Sequence, residues 1–384
     1  MERKDNLKAW TLAAAAAGLL LPAASFADAA DEEAQSAPRH ADVEVVFVLD
    51  TTSSMDGLIE GAKQKIWSIA NEIAKGKPTP KIKMGLVAYR DKRDRYMTRV
   101  FDLSANLDRT HNDLLSLRAE GGGDEPEHVL KALDDAVERV SWSTEPQTFK
   151  VVYLVGDAPP HFDYGDTPGL EDILERAVRK GIVVNSIQCG SRPDAAAPWQ
   201  KVARLGEGKY LAIPQDGGVA VVASPYDGRI AALNAKIEST ALAYGPRRAE
   251  AKEELALSRS VLGMVRGAAM APASAERAMF KSRAGVDSDM DLAKAVEEKR
   301  VDMAKLKDED LPETLRGLSL EARKAKIDAT LAQRRKLKSD LDALAGQRAE
   351  YLARETGKNV KKDSFDAKLV DSLKEQAARR GIAY

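Results

Sequence analysis

The chain has one cysteine in 384 residues, Cys189. A single thiol closes no internal disulfide, which excludes a disulfide-stapled extracellular scaffold. Cys189 ends the apolar run IVVNSIQC, so it is expected to be a buried core thiol. Neither sign of charge is in excess: 59 Lys and Arg against 60 Asp and Glu leave a formal net charge of −1. That balance removes the bulk electrostatic case for nucleic-acid or membrane-surface binding. Long apolar runs are also missing. The longest near the start, Ala9 to Leu21, falls short of the roughly 20 residues that span a bilayer. Preceded by Arg3, Lys4 and Lys8, and followed by Pro22 and small residues, it has the form of a secretory signal peptide. Ser25-Phe26-Ala27 and Ala27-Asp28-Ala29 both fit a cleavage site, and no cysteine lies nearby to take a lipid. The sequence therefore predicts a signal peptide over 1–27, a flexible polar lead-in over 28–41, and export without a remaining membrane span. Export with so little cysteine points to a bacterial periplasm.

What the chain does have is concentrated in VEVVFVLDTTSS, residues 43–54. The run from Val43 to Leu49 is short, β-branched and aromatic, as a central parallel strand covered on both faces should be. It ends in Asp50, and hydroxyls follow at alternate positions, Thr52 and Ser54. Three oxygens on one tight loop suit a hard divalent cation; a strand-end Asp-Thr pair also serves as a plain helix cap. Strand and helix patterns then alternate to about Leu211. Helices are expected over 58–74, 110–117, 127–140, 170–180 and 199–205, and strands over 81–91, 149–157, 181–189 and 208–213. A short edge strand is expected over 96–103. Ordered βαβα units imply a doubly wound, mostly parallel α/β sheet, with its site at the carboxyl ends of the strands. Asp50 and Asp157 fall there. A third loop, Gly121-Gly122-Gly123-Asp124-Glu125-Pro126-Glu127, offers close backbone approach and a capped helix start.

The three segments together resemble the von Willebrand factor type A (VWA) domain, whose metal-ion-dependent adhesion site has the pattern D-x-(S/T)-x-S. Here that pattern reads Asp50-Thr51-Thr52-Ser53-Ser54. The resemblance implies a cation held by Asp50, Thr52, Ser54 and Asp157, with Mg²⁺ first and Ca²⁺ or Mn²⁺ as alternatives. It also implies a protein partner whose carboxylate completes the shell. The middle loop departs from the pattern, with Asp124 where a threonine is usual. The G-G-G-D-x-P-E form, Tyr89-Arg90-Asp91 and Asp157-Ala158-Pro159-Pro160-His161 resemble a subgroup found in hemicentin-like proteins and in VWA-bearing alpha-kinases. A third carboxylate at Asp124 would hold the ion more tightly and make it a poorer electrophile. The plainer reading of Asp124 is a helix cap.

Glu125 and His161 are candidates for partner contact. His128 reads as a helix-surface residue, Arg90 and Asp91 as a local pair, and Asp163 and Asp166 as turn residues or a second cation loop. The α/β pattern is expected over 42–240 and to close with a helix in 217–237. Residues 241–384 then read as a charged α-helical region. Helices are expected over 249–265, 289–306, 320–354 and 365–379, with a break around 267–274 and a turn over 308–319. Leu337, Leu344 and Tyr351 recur every seven residues, which is too short a repeat for an extended coiled coil and suggests a helical hairpin. Homo-oligomerisation or partner binding through these helices is the expectation from their length and charge. No nucleophile-base pair or glycine-rich nucleotide loop stands out, so recognition is expected rather than catalysis. A structural scaffold stapled by its ion and a metal-dependent hydrolase remain as alternatives.

Overall fold

The run at 43–49 forms the centre of the molecule. In the computed structural model β1 (Asp42–Asp50) is buried from Val43 to Asp50. The structure describes residues 42–123, 126–219, 221–264, 268–284, 291–356 and 364–384. The segments expected to be a signal peptide and a lead-in, and Asp124 and Glu125, lie outside the described residues. Beside β1 run β2 (Lys81–Tyr89) and β4 (Phe149–Gly156), both parallel to it. β5 (Ile182–Cys189) and β6 (Glu207–Ile213) continue the parallel set, and β3 (Thr98–Ser104) pairs antiparallel with β2 at the far edge. The strand order is β3-β2-β1-β4-β5-β6. Crossing outward from β1 in both directions makes the β1–β4 boundary a topological switch point, where a crevice opens at the strand ends.

Alternate residues of β1 serve two cores. Val43, Val45, Phe47 and Leu49 face α1 (Asp56–Ile73) and α2 (Leu107–Ser116). Val46 and Val48 face α3 (Val129–Glu138), α4 (Leu170–Arg179) and α5 (Pro193–Leu205). Apolar side chains on both faces explain why the strand shows no polar alternation. Cys189 is fully buried, as its setting predicts, and burial pushes its thiol well up. α5 begins at Pro193, six residues before the expected start: Pro193 suits a first turn, and Pro198 is tolerated inside.

The helices after β6 differ from expectation. Within 217–237 only α6 (Asp227–Ser239) forms, starting at Asp227, and it does not close the sheet. Its Ile230 and Ile237 pack on Ala275, Ala278, Leu341 and Leu344. The break expected around 267–274 is shorter: Ala268–Met270 forms a single 3-10 turn and α8 (Ala271–Ala284) follows, with Pro272 in its first turn where it costs little. The helix expected over 289–306 is only α9 (Leu292–Glu297), capped by Asp291 and followed by Lys299 in the left-handed region. α7 (Arg248–Met264) and α10 (Leu320–Thr356) form as expected. Leu337, Leu341 and Leu344 of α10 are spent within the chain, against α6 and α8.

The sheet is closed by the last helix. α11 (Phe365–Ala378) lays Phe365, Leu369, Leu373 and Ala377 on the face that carries Phe47 and Tyr153. The Tyr153 hydroxyl meets Ser372 Oγ at 2.9 Å, and the amides of Asn185 and Gln376 pair at 3.0 and 2.7 Å. α11 thus packs on the sheet, while α10 packs on α6 and α8. A buried ion cluster locks the helices to the α/β part: Arg277 on α8 reaches Asp108 on α2 at 2.6 Å and Glu238 on α6 at 2.8 Å. Residues 40–384 form one compact unit. No helix among the described residues is long and apolar enough to cross a membrane.

Candidate metal centre

β1 delivers Asp50 to the rim with its side chain fully buried. Its Oδ1 accepts from the Thr52 N–H at 2.8 Å and from the Thr52 hydroxyl at 2.7 Å. Its Oδ2 is buried and has no hydrogen-bond partner. Thr52 Oγ1 and Ser54 Oγ lie 3.4 Å apart, with Ser54 exposed to solvent. Thr51 turns away, its hydroxyl donating to the Tyr89 carbonyl at 2.8 Å, so only alternate residues of the loop face the rim. Asp157 follows β4 and is almost buried. Gly156 is what lets the two strands approach: a Cβ there would lie 3.2 Å from the Asp50 Cβ and 2.5 Å from the Tyr89 hydroxyl.

The glycine loop is tied to the same rim. The Ser53 hydroxyl donates to the Gly121 carbonyl at 2.8 Å, and the Gly122 N–H points at both carboxylate oxygens of Asp94, at 3.3 and 3.2 Å. Gly121 and Gly122 have φ of 83° and 81°, which glycine adopts without strain. Of the expected ligands, the structure brings together Asp50, Thr52, Ser54 and Asp157.

Two residues that the sequence reading passed over belong here. Gln215, just past β6, donates to Asp157 Oδ2 at 2.7 Å and to the Ser54 carbonyl at 3.2 Å, holding two of the three segments together. Glu127 is buried, and its Oε2 has no partner. The sequence pattern places Glu127 in the first turn of a helix; α3 begins only at Val129, so Glu127 lies in the extended approach. Its N–H donates to the Pro159 carbonyl, and its carbonyl accepts from the His161 N–H, both at 3.0 Å. The signal in the sequence was the second acid of the D-x-P-E run.

Other expectations are corrected. The His128 side chain is fully buried at the start of α3, edge-on to Tyr164 at 4.8 Å, and is not a surface residue. Burial holds its ring below the usual histidine range. Arg90 does not pair with Asp91. It donates to the Thr51 and Arg118 carbonyls, while Asp91 accepts from the Tyr164 hydroxyl at 2.8 Å. His161 stacks on Tyr164 at 4.0 Å and bonds Asp163 at 2.7 Å, leaving its ring little exposed. Asp163 and Asp166 are used in such pairs, Asp166 with Lys92 at 3.1 Å.

The electrostatics are those of a site built for a cation. Burial, opposed by the Thr52 hydrogen bonds and helped by Asp157 and Asp94, raises Asp50 to about 7. Burial and the carboxylates of Asp50, Asp91, Asp94 and Asp157 push Glu127 up to about 9. A buried carboxylate without a partner is costly unless it takes up a proton or a cation. The donor set fits a hard divalent ion: carboxylate oxygens with free lone pairs and two hydroxyls at the rim. Asp50, Thr52, Ser54 and Asp157 would hold it. Among the described residues, no three Asp, Glu, His or Cys side chains already surround one point. The set is mixed and open on the solvent side.

Residues 44–210 match the family model of the von Willebrand factor A domain. A curated relative, the alpha-protein kinase vwkA of Dictyostelium discoideum, is 30% identical over 129 residues, covering 31% of this chain and 19% of that protein. Among solved structures, proximal thread matrix protein 1 of the mussel byssus is 18% identical with a TM-score of 0.36, covering 46% of this chain and 43% of that one. A form of that protein with a zinc-occupied MIDAS motif gives the same figures. The chain thus spans less than half the length of any of these. The six-stranded sheet, the Asp50-Thr52-Ser54 loop and the matched segment agree: residues 44–210 of this chain carry a von Willebrand factor A domain.

Proposed function

We propose that the protein is a divalent-cation-dependent protein-binding module exported to the bacterial periplasm. The observation that carries this is the unpartnered, buried Asp50 Oδ2 beside the open Thr52–Ser54 edge. When bound, the ion supplies a Lewis-acidic point that an oxygen of the partner can complete. Asp50, Thr52, Ser54 and Asp157 fix its position; Gln215 orients Asp157. The exposed side of the loop leaves room for a partner's carboxylate. Mg²⁺ is the first choice, with Ca²⁺ next. Any self-association through α10 has to use its outer, charged face, since the inner face is spent on α6 and α8.

Affinity capture from periplasmic extract, run in Mg²⁺ and in chelator, tests the reading. A partner retained only with the ion, and lost in Asp50→Ala, is expected. Equal capture in both conditions sinks it. A chain whose melting temperature alone responds to the ion is a scaffold stapled by its metal.

A further inference from the structure

We propose that Glu127 is a carboxylate ligand of the same cation; this rests on the metal reading above. Four observations carry it. The Glu127 side chain is buried, with 2% of its surface exposed, and its Oε2 has no hydrogen-bond partner. Asp50, fully buried, has an equally unpartnered Oδ2 at the same rim. Glu127 Oε1 reaches the motif loop: a Cβ built on Gly122 would lie 3.6 Å from it and 3.1 Å from the Thr52 Cβ. The Glu127 backbone is pinned on both sides, its N–H to Pro159 and its carbonyl to the His161 N–H, and these residues belong to the loop that follows Asp157. A glutamate that served only to start α3 would point its carboxylate at free helical N–H groups or at water. This one does neither, and it is fixed by two main-chain bonds to the loop of another ligand.

With Asp50 and Asp157, Glu127 would bring three negative charges to a bound ion; without it the three carboxylates do not surround one point. A hard cation that accepts several carboxylate oxygens is then the matching ligand, which moves Ca²⁺ ahead of the Mg²⁺ that Asp50, Thr52, Ser54 and Asp157 alone favour. Glycines 121 and 122 then have a further purpose: side chains there would fill the space over Thr52 and Asp94 that the Glu127 carboxylate borders.

Calorimetric titration of the full chain with Ca²⁺ and with Mg²⁺ tests this, comparing the native protein, Glu127→Gln and Asp50→Ala. Glu127→Gln keeps the shape and both main-chain bonds. Its Ca²⁺ affinity is expected to fall at least tenfold, while its melting temperature in chelator stays the same, since the buried acid is already neutral without the ion and the amide keeps its shape. A merely structural role would lower that melting temperature and leave the affinity alone. Asp50→Ala is expected to lose binding. Native-like Ca²⁺ affinity in Glu127→Gln, with binding lost in Asp50→Ala, overturns the role of Glu127 and leaves the site standing. Binding retained in Asp50→Ala, or absent from the native chain, overturns both. Glu127→Asp, with the charge kept and the reach shortened, gives the same comparison if the amide variant does not fold, with the same tenfold loss expected.

Discussion

Cutting the chain after residue 362 should unfold the α/β part, although the cut lies more than 140 residues beyond the matched segment. The cut removes α11 and the tail after it. Phe365, Leu369, Leu373 and Ile382 are each 3% exposed or less and belong to the core under β1 and β4. Burying one such side chain is worth about 1.5–3 kcal/mol, so the four together contribute roughly 6–12 kcal/mol. Whole domains are stable by about 5–15 kcal/mol, so the loss is of the order of the total. Truncation also bares Phe47 and Tyr153, stacked at 5.9 Å, and frees the Asn185 amide from Gln376. Chemical denaturation followed by tryptophan fluorescence samples Trp67 in the core covered by α11 and Trp199 in the opposite one. The truncated chain should show no native baseline. Leu369→Ala, which empties a fully buried site, should cost about 2–5 kcal/mol with both cores still melting together. A chain ending at residue 362 that keeps the native midpoint and a single transition refutes the assignment of α11 as the closing helix.

Stability should depend on pH in a way the ion reverses. Burial raises Asp50 from its ordinary 3.8 to about 7 and Glu127 from 4.5 to about 9, so the cation-free fold holds protons that the unfolded chain releases. Cation-free stability is then full below the unfolded values and is lost as pH rises through 7 towards 9. Thermal melts in chelator from about pH 5 to about pH 9 should fall, and excess Ca²⁺ or Mg²⁺ should flatten them; a flat profile in chelator contradicts the burial argument. Replacing Arg277 with Met leaves the buried carboxylates of Asp108 and Glu238 facing Lys281 without the guanidinium between them, and should cost about 3 kcal/mol by denaturant unfolding. A loss below about 1 kcal/mol would mean that the cluster does not lock the helices to the α/β part.

The rim was legible because its parts are local. An apolar run ending in Asp50, two hydroxyls at alternate positions, a triple glycine and a strand-end Asp157 each announce themselves within a few residues. Glu127 was hidden by Pro126, which invites a helix start; where α3 begins decides whether the acid caps a helix or enters the site. Gln215 carried no signal at all, because a glutamine after a strand is ordinary until its amide is seen to span Asp157 and Ser54. His128 looks like a helix-surface residue because it directly follows Glu127 in the expected first turn; only the Tyr164 ring shows what covers it.

By itself, the sequence determined the sheet, its parallel direction and the edge at which oxygens gather. Periodicity and turn chemistry act over a handful of residues, and these elements are written at that range. Tertiary structure decided which helix closes the sheet. Both α6 and α11 offer an amphipathic face, and their own residues do not rank them. The choice rests on Leu369, Leu373 and Gln376 meeting Tyr153 and Asn185 across about 190 to 220 positions of sequence, a complementarity that exists only once the chain has returned.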